Sequence, residues 1–151
     1  MLSLVGPVKE VQAISHTTNF HKMESEDFVA GGMKFENGTI GSLFATTSSF
    51  PGYAESITLN CEKASAQLQS GVLTINWLDG RLEKFGETAG TGGGADPMAF
   101  PYECHRELIE NFIQSIKKNS DFSVSGEEAL KVHFLIDALI ESSQKGQLVK
   151  I

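Results

Sequence analysis

Four side chains in this 151-residue sequence combine binding chemistry with a position that could present it. Tyr53 follows Phe50-Pro51-Gly52 at a corner between two strand-like runs. Its ring can pack on C–H faces and its hydroxyl can hydrogen-bond a polar ligand; a half-buried sheet tyrosine is the other role open to it. Phe50 shares the corner and suits the core or the wall of a binding site. Asp96 precedes Pro97, where a carboxylate can bond a ligand hydroxyl or shape a turn. His105 opens a helical stretch directly after a glycine-rich loop, placed either to contact a ligand or to cap the helix and support the loop.

Other residues carry less. His16 and His21 have no cysteine or carboxylate at metal-ligand spacing, and His133 sits inside a helical segment beside Phe134, which suits packing or a surface hydrogen bond. No metal site is expected. Gly90-x-Gly92-x-x-Ala95 spells a dinucleotide-binding turn. Such a turn must follow a strand and open a helix inside a βαβ unit, with the pyrophosphate on the helix N-terminus. Here Asp96-Pro97 follows at once and no βαβ unit surrounds it, so a loop is expected and no cofactor site is assigned. The two cysteines, Cys61 and Cys104, have no metal-like spacing and read as reduced thiols of a cytoplasmic protein.

The totals bound the class. The chain has the length of one domain, residues 1–151. A formal net charge of −7 argues against a nucleic-acid surface, and no apolar run approaches the roughly 18 residues of a membrane span. Met1 to Pro7 has no basic region and is not a signal peptide.

The elements that must position these residues read as strands first and helices last. Val8 to Asn19 alternates loosely as a strand. Asn37-Gly38 and Asp79-Gly80 each signal a hairpin, the first expected as a type I′ turn with both central residues at positive φ. Further runs cover Glu55–Cys61, Ala64–Gln69, Val72–Trp77 and Arg81–Phe85. From His105 the period changes: Leu108, Ile109, Phe112, Ile113 and Ile116 form one stripe at helical spacing, read as core. Ser125 reads as the N-cap of a second helix, with Glu128 completing a capping box and Gly146 as its stop; Leu148–Ile151 follows as an edge strand. Met33 and Phe35 also read as core. The expected fold is α+β: an open antiparallel sheet of about six or seven strands, with helices packed on one face.

Several pieces in order resemble the C-terminal domain of the Gfo/Idh/MocA family, the relatives of glucose–fructose oxidoreductase and inositol dehydrogenase. They are Phe35-Glu36-Asn37-Gly38, Ser49-Phe50-Pro51-Gly52-Tyr53, Glu62-Lys63-Ala64-Ser65-Ala66, the loop Gly92-Gly93-Gly94-Ala95-Asp96-Pro97, the His105…Phe112-Ile113…Ile116 helix, and Ser125-Gly126-Glu127-Glu128-Ala129 with Ser142-Ser143 and Gly146. The resemblance runs from about Leu4 to Ile151. The family usually has glycine where this chain has Ala64.

The resemblance implies the substrate-binding and oligomerising part of an NAD(P)-dependent oxidoreductase acting on a sugar or cyclitol. It places Tyr53 where sugar- and inositol-processing relatives present an aromatic to substrate, and His105 where the family often has a histidine. Phe50 and Asp96 complete the candidate substrate-binding set. The family's Glu-Lys-Pro lysine and Asp-x-x-x-His helix are missing, and Leu4-Val5-Gly6-Pro7-Val8 lies almost at the first residue. The expectation is therefore a fragment without catalytic residues, inactive alone, whose NAD or NADP is held by an N-terminal Rossmann domain absent from this chain. The expected partners are that domain, a sugar-like small molecule and a second copy seated on the open sheet face, hiding Leu43, Phe44 and Leu59; neither nucleic acid nor membrane is expected. A different class stays open at this level: a stand-alone, non-catalytic α+β binding or dimerisation module.

Overall fold

A computed structural model describes residues 1–88, 102–122 and 124–151. The described elements are α1 (Leu2–Val5), β1 (Val8–His16), β2 (Phe28–Phe35), β3 (Ile40–Thr46), β4 (Ser56–Asn60), β5 (Ala64–Gln69), β6 (Val72–Trp77), β7 (Leu82–Phe85), α2 (Glu103–Lys118), α3 (Gly126–Lys145) and β8 (Val149–Lys150). Every strand pairing among them is antiparallel. The fold is α+β, as expected, but its strands form two open four-stranded sheets, ordered β3-β2-β1-β8 and β4-β5-β6-β7. The reason lies at Phe50-Pro51-Gly52. Proline has no ladder donor and Gly52 takes a φ of 90°, so β3 ends before the corner and β4 finds its partner in β5. The chain correspondingly divides into two compact units, Met1–Ser48 with Gln114–Ile151, and Ser49–Ile113.

The first unit holds the buried core. On α3, Leu135, Ala138, Leu139 and Ser142 are buried, and their i, i+3, i+4, i+7 spacing lines one helical face. That face meets Val8, Val11, Ala13, Met33 and Phe35 from β1 and β2. Phe35 is 2% exposed, and burying a side chain of that size contributes roughly 1.5–3 kcal/mol. Close approach of β1 to β2 requires glycine at one place: a Cβ on Gly31 would lie 2.9 Å from the Ala13 Cβ. Leu43 packs against this core, while Phe44 is exposed and stacks edge-on against Phe28. Leu43, Phe44 and Leu59 therefore do not share the one open face expected of them: adjacent strand residues point to opposite faces, and Leu59 belongs to the other sheet.

The hairpin signals hold, with a different turn. Asn37 is not among the residues at positive φ; only Gly38 is, at 87°. The Gly38 N–H donates to the Phe35 carbonyl at 3.0 Å and the Phe35 N–H donates to the Thr39 carbonyl at 2.8 Å. The glycine alone thus supplies the left-handed residue of a bulged hairpin. Asn37 instead anchors the turn, donating to the Val5 carbonyl at 2.9 Å and accepting from the Thr39 N–H at 3.0 Å. Trp77-Leu78-Asp79-Gly80 repeats the arrangement, with Gly80 N–H donating to the Trp77 carbonyl at 3.0 Å.

The helix ends also follow local rules. Ser125 caps α3 by accepting from the Glu128 N–H at 3.3 Å. The reciprocal half of the capping box is replaced: Glu128 pairs with Lys131. Gly146 closes α3 in the left-handed conformation, its N–H donating to the Ser142 carbonyl. On α2 the stripe Leu108, Ile109, Phe112, Ile113 and Ile116 is exposed, and only Ser115 is buried. That corrects the core assignment of this stripe: periodicity gives a helix an apolar face but does not supply what covers it. Among the described residues, no helix is long and apolar enough to cross a membrane.

Candidate functional site

The corner that carries Tyr53 lies in the second unit, between β3 and β4. Ser49 to Glu55 makes no strand pairing, so side chains there are free of the in-and-out alternation that would bury every second one. Tyr53 is 77% exposed and Phe50 88% exposed. Phe50 is thus not a core residue, and Tyr53 is not a half-buried sheet tyrosine. Both present rings to solvent, three positions apart.

His105 lies in the first turn of α2 and is exposed. The ring before the helix belongs to Tyr102, over which the Arg106 guanidinium sits at 5.7 Å from the centroid, a distance compatible with cation–π attraction. Asp96 falls outside the described residues, as do Gly90, Gly92 and Ala95. No described hydrogen bond or ring contact joins Tyr53, Phe50 and His105 to one another. Their chemistry is that of recognition: aromatic surface for C–H faces, and a phenol and an imidazole for hydroxyl groups. Among the described residues, none of the three has a base or nucleophile at bonding distance, the pairing that covalent catalysis requires.

The second unit also contains a sheet of two contrasting faces. The register places Ile57, Leu59, Ala66, Leu73, Ile75 and Trp77 on one face, and Thr58, Gln67, Thr74 and Lys84 on the other. Cys61, in the β4–β5 turn, and Cys104 are exposed and unpaired. No group of three His, Cys, Asp or Glu among the described residues could hold a metal ion. Nor does any described segment form the parallel strand–turn–helix that seats a dinucleotide.

In the first unit, a shallow dish of about 720 Å³ lies over β1 and β2, lined by Gln12, Ile14, Ala30, Gly32 and Lys34 and reaching Ser143 and Gly146 at the C-terminal end of α3. It contains none of Tyr53, Phe50 or His105. Ile14 is 69% exposed there.

One constellation has no counterpart in the sequence reading. Asp27, at the end of the connection from β1, is buried, and its carboxylate accepts the Thr18 hydroxyl at 2.6 Å, the Thr18 N–H at 2.7 Å and a bond with His21 Nδ1 at 2.9 Å. The Thr18 hydroxyl is the main reason its carboxyl is held below the usual carboxylate range. Burial opposes that effect, while the Thr18 amide and His21 reinforce it. The Asp27 carbonyl accepts from the Thr46 hydroxyl at 2.8 Å and the Thr47 N–H at 3.0 Å. Asp27 therefore holds the Thr17–Glu26 loop and the end of β3 together, and His21 serves that loop. The available signal was an aspartate closing the polar stretch Glu24-Ser25-Glu26-Asp27 before the apolar run Phe28-Val29-Ala30, since Asp side chains, unlike the longer Glu, turn back on nearby backbone.

Residues 1–67 match the model of the GFO/IDH/MocA C-terminal domain. The matched segment spans β1 to β4 and most of β5, including the Asn37-Gly38 hairpin and the Tyr53 corner. No curated protein matches the chain by sequence. Solved structures share its fold. Levoglucosan dehydrogenase in complex with NADH and levoglucosan superposes with a TM-score of 0.79 at 20% identity, over 99% of this chain and 46% of that one. An oxidoreductase from Agrobacterium radiobacter, in complex with NAD+, L-tartaric acid and magnesium, gives 0.78 at 18% identity over 99% and 45%. The WlbA dehydrogenase from Bordetella pertussis, in complex with NADH and UDP-GlcNAcA, gives 0.70 at 23% identity over 98% and 40%. The chain spans less than half the length of each of these proteins.

Proposed function

We propose that this chain, a C-terminal domain of the Gfo/Idh/MocA type, forms the substrate-binding and oligomerising part of an NAD(P)-dependent oxidoreductase acting on a sugar or cyclitol. The observation that carries this reading is the family match through the Tyr53 corner. The fold shared with sugar-binding dehydrogenases supports it. In this reading the nicotinamide cofactor and the proton-transfer residues belong to an N-terminal Rossmann domain. The cofactor supplies the hydride acceptor or donor when bound.

This chain's residues bind and orient. Tyr53 offers its ring to C–H faces and its hydroxyl to a ring oxygen. Phe50 extends the apolar wall, and His105 and Asp96 bond further hydroxyls. Such contacts hold a reacting carbon in place, which is how positioning residues lower a barrier. The dish over β1 and β2, with exposed Ile14, Ile40 and Phe44 on that face, is the surface proposed to meet a second copy.

The test uses the complete reading frame joined to its upstream coding sequence. Polyol-dependent NAD(P)H formation is expected in the parent, and Tyr53→Phe is expected to raise KM severalfold. A reading frame that begins at Met1, with no NAD(P) requirement in any polyol assay, would instead support the stand-alone binding module.

A further inference from the structure

Strand β1 changes partners partway along one edge. On its β2 side, pairing runs from Val8 to His16. On the other side only Glu10 and Val11 lie opposite a strand, facing Lys150 and Val149 of β8. Beyond Val11 the sheet ends, yet the N–H groups of Ala13 and Ser15 still point outward, because strand donors alternate sides. Each is taken up by a helix. The Ala13 N–H donates to Ser142 Oγ at 3.1 Å and the Ser15 N–H donates to Ser143 Oγ at 2.7 Å. The Ser143 hydroxyl donates back to the Ser15 carbonyl at 3.3 Å. The Ser142 hydroxyl donates to the Gln147 carbonyl at 2.6 Å, holding the turn that delivers β8 to β1. A hydroxyl can accept and donate at once, so each serine fills both roles.

We propose that Ser142 and Ser143 act as a surrogate strand, closing the open stretch of the β1 edge to strand addition by another chain. An edge with free N–H and C=O groups is a template for intermolecular pairing. A helix carrying two hydroxyls satisfies the donors but cannot propagate a ladder. The same two residues end the strand-to-strand pairing of β1 at Val11, since α3 occupies the space a longer β8 would need. Self-association of this unit is thereby directed away from the β1 edge. The inference stands on these hydrogen bonds alone and is independent of the oxidoreductase reading.

Amide exchange and solution mass of the 151-residue chain test it. In Ser143→Ala the Ser15 amide should exchange roughly fivefold faster, the size expected for one lost hydrogen bond. The Ile14 amide, which faces β2, should stay as protected as in the parent. Ser143→Thr, which keeps the hydroxyl, should restore Ser15. The double variant S142A/S143A should form species heavier than the parent at equal concentration. Equal acceleration of Ser15 and Ile14 in Ser143→Ala would overturn the proposal, since it marks general loosening. A folded double variant with the parent's mass at every concentration would overturn it too. Should the double variant not fold, the exchange contrast in the single variant decides.

Discussion

The Thr18 hydroxyl lies 2.6 Å from the Asp27 carboxylate and donates to it, the shortest of the three bonds that carboxylate accepts. A lowered pKa in the folded state has a definite consequence for stability. Relative to its ordinary value of 3.8, Asp27 gives up its proton more readily when folded. Its stabilising contribution is complete above that value and is lost as pH falls through the lowered one. Acid titration of the urea midpoint should therefore show a component below about pH 4 that Thr18→Val weakens and Asp27→Asn removes. An unchanged acid limb in Asp27→Asn would mean that Asp27 makes no such contribution.

Gly31 and Gly32 are adjacent, yet only one should resist substitution. A Cβ at Gly31 meets the Ala13 Cβ at 2.9 Å and the Gln12 carbonyl oxygen at 3.0 Å, whereas a Cβ at Gly32 meets nothing within 4 Å. Gly31→Ala should cost about 1–3 kcal/mol, as overpacking does. Gly32→Ala should be near neutral. Chemical denaturation of the pair checks the contrast, and equal costs would contradict the strand spacing.

Two phenylalanines should behave in opposite ways. Phe35, 2% exposed, should cost about 3–5 kcal/mol on replacement by alanine, while Phe50, 88% exposed, should cost under about 0.5 kcal/mol. If Phe50 forms a substrate wall, Phe50→Ala in the complete enzyme should raise KM at unchanged thermal stability. A large stability loss at Phe50 would return it to the core.

Ser125 caps α3 through the Glu128 N–H, and its hydroxyl, after the Glu127 backbone N–H, helps hold the Glu127 carboxyl below its usual range. Ser125→Ala should cost about 1 kcal/mol and Ser125→Asp little, read from thermal unfolding by helix circular dichroism. A neutral Ser125→Ala would show that packing of the Leu135–Ser142 face alone sets the start of the helix.

Local signals were readable in the chain wherever one residue type has one physical use. Gly38 and Gly80 turn hairpins, Ser125 starts a helix and Gly146 ends it. The Tyr53 corner was legible for a similar reason: Pro51 and Gly52 exclude a continuing ladder. The turn type at Asn37 was not legible, because Asn37 spends its side chain on the Val5 carbonyl rather than on a left-handed conformation.

By itself, then, the sequence determined the α+β class, the antiparallel meander, the two ends of α3 and the family resemblance, whereas α2 begins at Glu103, ahead of His105, and α1 carried no readable signal. Tertiary structure alone decided that the strands divide into two sheets, that Leu43 and Phe44 part company, that the α2 stripe lies exposed, and that Asp27 gathers its loop. It also decided that Ser142 meets Ala13, 129 positions away. Backbone donors are chemically identical along a strand, so which partner each one finds depends on what folding brings beside it.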